Sequence, residues 1–84
     1  MKSKATRQFW TLYSRLTAAA QDAADKQLEL FEADPFHRSL QFKHLRSSIW
    51  SARVTGGYRA SGIRRGDLIV WVWIGTHADY DKLI

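Results

Sequence analysis

The chain has 84 residues, no cysteine, and 13 Lys/Arg against 8 Asp/Glu, for a formal net charge of +5. That length holds one small core, and the lack of cysteine rules out a disulfide framework or thiolate metal site and suits a reducing cytoplasm. No apolar run is long enough to span a bilayer, and the basic start MKSKATRQFW leads into no apolar segment of a secretory signal.

Residues 6 to 16, TRQFWTLYSRL, carry Phe9, Leu12, Tyr13 and Leu16 at helical spacing. From Thr17 the composition changes to TAAAQDAADKQLELFEADP, where Ala20, Ala24, Leu28 and Phe31 form a second stripe. Thr17 suits the N-cap of a second helix. Pro35 ends it, because the residue before proline is steered out of helical geometry. No strong breaker separates the stripes, so one bent helix stays open beside the preferred αα-hairpin. Residues 36 to 47, FHRSLQFKHLRS, read as a connection.

Residues 49 to 75 read as three strands, SIWSARVT, YRASGIRR and LIVWVWIG, joined at Gly56-Gly57 and Gly66-Asp67 as hairpins. The last strand is apolar on both sides: Leu68, Val70, Val72 and Ile74 on one, Ile69, Trp71 and Trp73 on the other. It is therefore expected inside the sheet, with both tryptophans packing and neither serving as a stacking platform. The tail THADYDKLI suits a final helical turn. The expected fold class is α+β, a single domain with an N-terminal αα-hairpin on one face of a three-stranded antiparallel sheet. The other face is then free for partners.

Charge is unevenly placed along the chain. Between Asp34 and Asp67 lie Arg38, Lys43, Arg46, Arg53, Arg59, Arg64, Arg65, His37 and His44, with no carboxylate. Such a one-signed segment attracts anions, phosphate above all. A two-residue turn at Gly56-Gly57 pairs Val54 with Arg59 and sends Arg53 and Arg59 to opposite faces. A three-residue loop with Gly57 left-handed pairs Val54 with Tyr58 and Arg53 with Arg59. The second is preferred; two guanidinium groups side by side repel, so the arrangement calls for an anion.

PFHRSLQFKHL before the sheet, SARVTGGYRASG in the hairpin and VWVWIGTHADYDKLI at the end resemble the RelE/ParE superfamily of type II toxins, in particular a compact bacterial subgroup. The likeness runs from about Thr6 to Ile84 and rests on R-V-x-x-x-Y-R followed by W-x-W-I-G-x-H-A-x-Y. It departs from the pattern at Thr17 and Arg38, where relatives are expected to have proline. The superfamily's usual first strand is also missing, which leaves a sheet edge open.

The resemblance implies a toxin held by a cognate antitoxin. In the RelE type, the toxin cleaves messenger RNA on the ribosome with the RNA's own 2′-OH and without metal or other cofactor; in the ParE type, it poisons DNA gyrase without nuclease chemistry. By motif position it implies Arg53, Arg59, His77 and Tyr80 as catalytic residues. Arginine's planar fork suits a pentavalent phosphorane, and histidine suits proton transfer near neutral pH. Lys43, His44, Arg46, Arg64 and Arg65 are the RNA-binding candidates. His37 and His44 lack further ligands at metal spacing. The ribosome-dependent endoribonuclease is the leading reading, with a gyrase inhibitor or a non-toxic nucleic-acid-binding module as alternatives.

Overall fold

The computed structural model describes residues 1–83; Ile84, the last residue of the C-terminal motif, lies outside them. The elements run β1 (Lys2–Ala5), α1 (Arg7–Ser14), α2 (Ala18–Ala33), a 3₁₀ turn (Arg38–Leu40), β2 (Lys43–Arg46), β3 (Ile49–Thr55), β4 (Tyr58–Arg65), β5 (Leu68–Thr76) and α3 (His77–Leu83). The strands form one five-stranded mixed sheet in the order β1-β5-β4-β3-β2. No helix among the described residues is long and apolar enough to cross a membrane.

This corrects the three-stranded antiparallel sheet in two places. KSKA is a strand after all, pairing parallel with β5 from Lys2–Leu68 to Ala5–Trp71. Being short and polar, it has no apolar alternation to announce it; it is held by the outer edge of an apolar strand far along the chain. The edge expected to stay open for want of a first strand is therefore closed by β1, and β5 lies inside the sheet as expected. KHLR, read as part of a connection, pairs antiparallel with β3 as β2. Its neighbours Leu40 and Phe42 are drawn into the core, which masks the strand pattern. Both outer strands are four residues long and bear lysine, a form that discourages pairing with other chains.

Two separate helices form, each with a threonine cap. Thr6 Oγ1 accepts from Phe9 N–H and Thr17 Oγ1 from Ala20 N–H, both at 3.2 Å. They do not stand on the sheet as a self-packed αα-hairpin, because each has its own strand: α1 lies on β5 and α2 on β3. The apolar stripes go to the sheet, and the helices are tied together by polar bonds. Tyr13 Oη donates to Asp25 Oδ1 at 2.7 Å, and Gln21 Nε2 to the Tyr13 carbonyl at 3.0 Å. The carboxylate beside Tyr13 holds its phenol above its ordinary pKa, first through that hydrogen bond. Beneath the helices Phe31, Leu40, Ile69, Trp71 and Ile74 form the buried centre.

Besides a register shift between His44 and Arg46 that sets Arg46 opposite Ile49, two bulges decide which strand residues share a face. At the first hairpin, Arg53 pairs with Arg59 and Thr55 with Tyr58, leaving Val54 as the extra residue. Arg53 and Arg59 thus share a face as expected, but by another route. The turn is the two-residue Gly56-Gly57, neither glycine is left-handed, and the expected Val54–Tyr58 pair is replaced by a bulge. In the second hairpin Ser61 pairs with Trp73 and Gly62 with Trp71, so Val72 is extra. Strict alternation put Trp71 and Trp73 together and Ile74 opposite. Across the bulge Ile74 joins Ile69 and Trp71 under the helices, and Trp73 turns to the opposite face.

Gly62 faces Trp71 beside this bulge, and a Cβ there would lie 2.7 Å from the Val70 carbonyl oxygen. Backbone cannot yield as a side-chain tip does. Gly62→Ala is expected to cost about 1–3 kcal/mol and to lower the thermal midpoint by roughly 10 °C. An unchanged midpoint in a melting experiment would show that the strands are not this close.

Candidate phosphate-binding site

The sheet face away from α1 and α2 gathers Ser51 and Arg53 from β3, Arg59 and Ser61 from β4, and Trp73 and Gly75 from β5. Lys43 of β2 joins them through its pairing with Ser51. Helix α3 folds back onto this face. Thr76 Oγ1 accepts from Asp79 N–H at 3.1 Å at its start, and the His77 N–H is held by the Gly57 carbonyl at 2.8 Å. The second bond ties α3 to the turn between the two arginine strands.

Arg59 is the central side chain, only 4% exposed. Its guanidinium lies 5.0 Å from the ring centroid of Tyr80, itself 3% exposed. Nη1 donates to Gln41 Oε1 at 3.4 Å and Nη2 to Ser51 Oγ at 3.3 Å, two long bonds to neutral oxygens. Arg59 Nε–H and the Tyr80 hydroxyl are buried with no hydrogen-bond partner among the described residues. Among the described residues no Asp or Glu forms an ion pair with Arg59. A buried charge of this kind is ordinarily matched by a carboxylate. These donors stand in a sheet face that carries three further cations, Arg53, Lys43 and Arg46, and that therefore favours an anion.

The expected catalytic group is thus brought together. Arg53 stands opposite Arg59 in the register, with its Nη2 folded toward the turn, 3.6 Å from where a Cβ on Gly56 would be. The His77 ring lies 5.9 Å from that of Tyr80, centroid to centroid, and its Nδ1 is 3.2 Å from Asp81 Oδ2. A carboxylate only accepts, so this contact needs the proton on Nδ1 and leaves Nε2 free to take one. Tyr80 lies beneath Arg59 as a support and is too covered to offer a base its face.

The RNA-binding candidates divide. Arg46 lines a groove of about 280 Å³ on this face with Leu45, Ile49, Ile63, Trp73 and Tyr80. His44 and Arg64 are on the other face, both against Trp50; the Arg64 guanidinium lies 4.6 Å from that ring and 5.8 Å from Phe36. Arg65 is at the far end of the sheet beside Lys2, Lys4 and Asp67. No group of three metal-ligating side chains is gathered among the described residues. The sequence reading missed Gln41 and Ser51. Only the register could have suggested Ser51, and Gln41 arrives from a left-handed turn with φ 44°.

No family model and no curated protein matches this sequence. Solved structures match its fold over nearly the whole chain. The RelB–RelE antitoxin–toxin complex from Methanococcus jannaschii matches with a TM-score of 0.77 at 12% identity, covering 96% of this chain and 98% of that one. YafQ from E. coli strain BL21(DE3) matches at 0.71 and 16%, covering 94% and 96%. A YoeB/ParE toxin from Agrobacterium tumefaciens matches at 0.70 and 20%, covering 92% and 99%. The fold is thus the one seen in these RelE, YafQ and YoeB/ParE structures.

If Arg59 is an unneutralised buried charge, removing it relieves strain on the fold. Arg59→Met is expected to raise the thermal midpoint by about 4–8 °C, the equivalent of about 1 kcal/mol. Inorganic phosphate should stabilise the wild type more than the variant. A variant that melts lower, with an equal response to phosphate, would make Arg59 an ordinary structural residue.

Proposed function

We propose that this protein is the toxin of a type II toxin–antitoxin pair and that it cleaves messenger RNA on the ribosome. The observation that carries this reading is the buried Arg59, paired with no carboxylate among the described residues, on the face that also carries Arg53, with Tyr80 against its guanidinium and His77 beside Tyr80. The fold likeness to a RelE in complex with RelB supports an antitoxin as partner. A surface held in waiting for an anion is also one that a carboxylate-bearing partner can cover, stabilising the small toxin by mass action.

In this reading the scissile phosphate takes the place of the missing counter-ion. Arg59 Nε and Nη donate to its non-bridging oxygens, and Arg53 adds a second charge as the phosphorane forms. The RNA's 2′-OH attacks phosphorus and the bond to the 5′-oxygen breaks, the departing oxygen taking a proton from water to become a 5′-hydroxyl. His77 Nε2, oriented through Asp81, takes the 2′-OH proton. Lys43 and Arg46 hold flanking phosphates and are expected to set affinity more than rate.

Purified toxin added to programmed ribosomes should produce RNA ends in phase with codons, mapped by primer extension. Arg59→Ala is expected to slow single-turnover cleavage by about 10²–10³-fold, and His77→Gln by about 10²-fold or more. No phased cleavage by the wild type, together with inhibition of gyrase supercoiling, would replace this reading with a non-nuclease toxin. Neither effect, and no growth arrest on expression, would sink the toxin reading altogether.

A further inference from the structure

Trp73 is on the face of the phosphate site, and its position there follows from the Val72 bulge, which separates it from the core tryptophan Trp71. Three observations describe what the indole is free to do. Its strand neighbour Gly75 has no side chain, and a Cβ there would be 2.7 Å from Trp73 Cζ2 and 3.0 Å from Cη2, so the ring lies flat along the strand only because that position is glycine. The indole is partly exposed, where Trp71 is buried. It also borders the groove that contains Arg46 and Tyr80, and a second hollow beside Thr76 and Asp79.

The register places this ring relative to Arg59. Arg59 is opposite Gly75, and Trp73 is opposite Ser61, two residues further along β4. At strand spacing the two backbone positions are about 7 Å apart. The indole reaches along β5 over Gly75, the residue opposite Arg59, so ring and guanidinium are within the span of one nucleotide. An aromatic plane beside a cationic phosphate site is the arrangement by which proteins hold single-stranded nucleic acid, because every base has a face to stack. Tyr80 cannot do this: it is buried beneath Arg59, and its ring, 6.3 Å from that of Trp73 and tilted 38°, backs the indole instead.

We infer that Trp73 is a stacking platform for one nucleobase next to the phosphate held by Arg59, a substrate-positioning residue of the site. The inference rests on the RNA reading above and adds which side chain orders the base. The simpler role, an indole that only packs beneath α3, predicts that truncation weakens every ligand alike.

The two roles separate with single-stranded oligoribonucleotides whose 2′-hydroxyls are methylated to prevent cleavage, each carrying one abasic position moved along the strand. Binding is read by fluorescence anisotropy for the full-length wild type, Trp73→Leu, Trp73→Phe and Arg59→Met. Trp73→Leu should weaken binding to the intact strand by about tenfold, and Trp73→Phe by much less. At one position the abasic strand should bind the wild type about tenfold more weakly, with Trp73→Leu then costing nothing more. Equal losses for Trp73→Leu on intact and abasic strands at every position would overturn the stacking role while leaving the RNA reading intact. Wild type and Arg59→Met binding all strands equally, or a wild type that binds none, would overturn both.

Discussion

The structure is organised around one electrostatic demand: a buried guanidinium that no acid among the described residues matches. Isolated ions are expensive to bury, and proteins normally pair them or keep them in water. Among the described residues Arg59 finds neither remedy, being 4% exposed with two long bonds to neutral oxygens and an unpartnered Nε. What holds it there is the ring of Tyr80, which occupies one side of the guanidinium, and the sheet, which occupies another. A donor arrangement fixed in advance stabilises developing charge without reorganising at the moment of reaction. The cost to the resting protein and the gain on binding are then two views of one feature.

The rest of the fold sets up that feature. Without the Val54 bulge, the two-residue turn at Gly56-Gly57 would send Arg53 and Arg59 to opposite faces. Without the Val72 bulge, Trp73 would sit in the helix-covered core and Ile74 would face the site. Helix α3 completes the enclosure by returning over the sheet, anchored where the His77 N–H meets the Gly57 carbonyl. Meanwhile α1 and α2 cover the other face of the sheet, opposite the candidate site.

Much of this was legible in the residues. The helical stripes, the Thr17 cap and both hairpins follow from spacing and local chemistry, and the carboxylate-free stretch between Asp34 and Asp67 marked the site's half of the chain. The resemblance named the superfamily whose fold the structure shares. Other features depend on partners distant in sequence. KSKA is a strand only because β5 offers its edge, and KHLR only because β3 offers the other. A bulge leaves no mark on an unbroken apolar run such as LIVWVWIG, so alternation put Trp73 on the wrong side. Arg59 carries no local sign of burial, since its cover comes from Tyr80 in a later helix.

The central claim concerns one N–H group, and that group can be observed. In nitrogen-15 NMR spectra the Arg59 Nε–H resonance should be followed while a dinucleoside monophosphate with a 2′-deoxy linkage is added. The account predicts a saturable shift of this resonance, larger than those of Arg64 and Arg65, together with slowed exchange of its proton. A silent Arg59 resonance while the surface arginines move would contradict it, because the ligand would then be meeting only the protein's general positive charge.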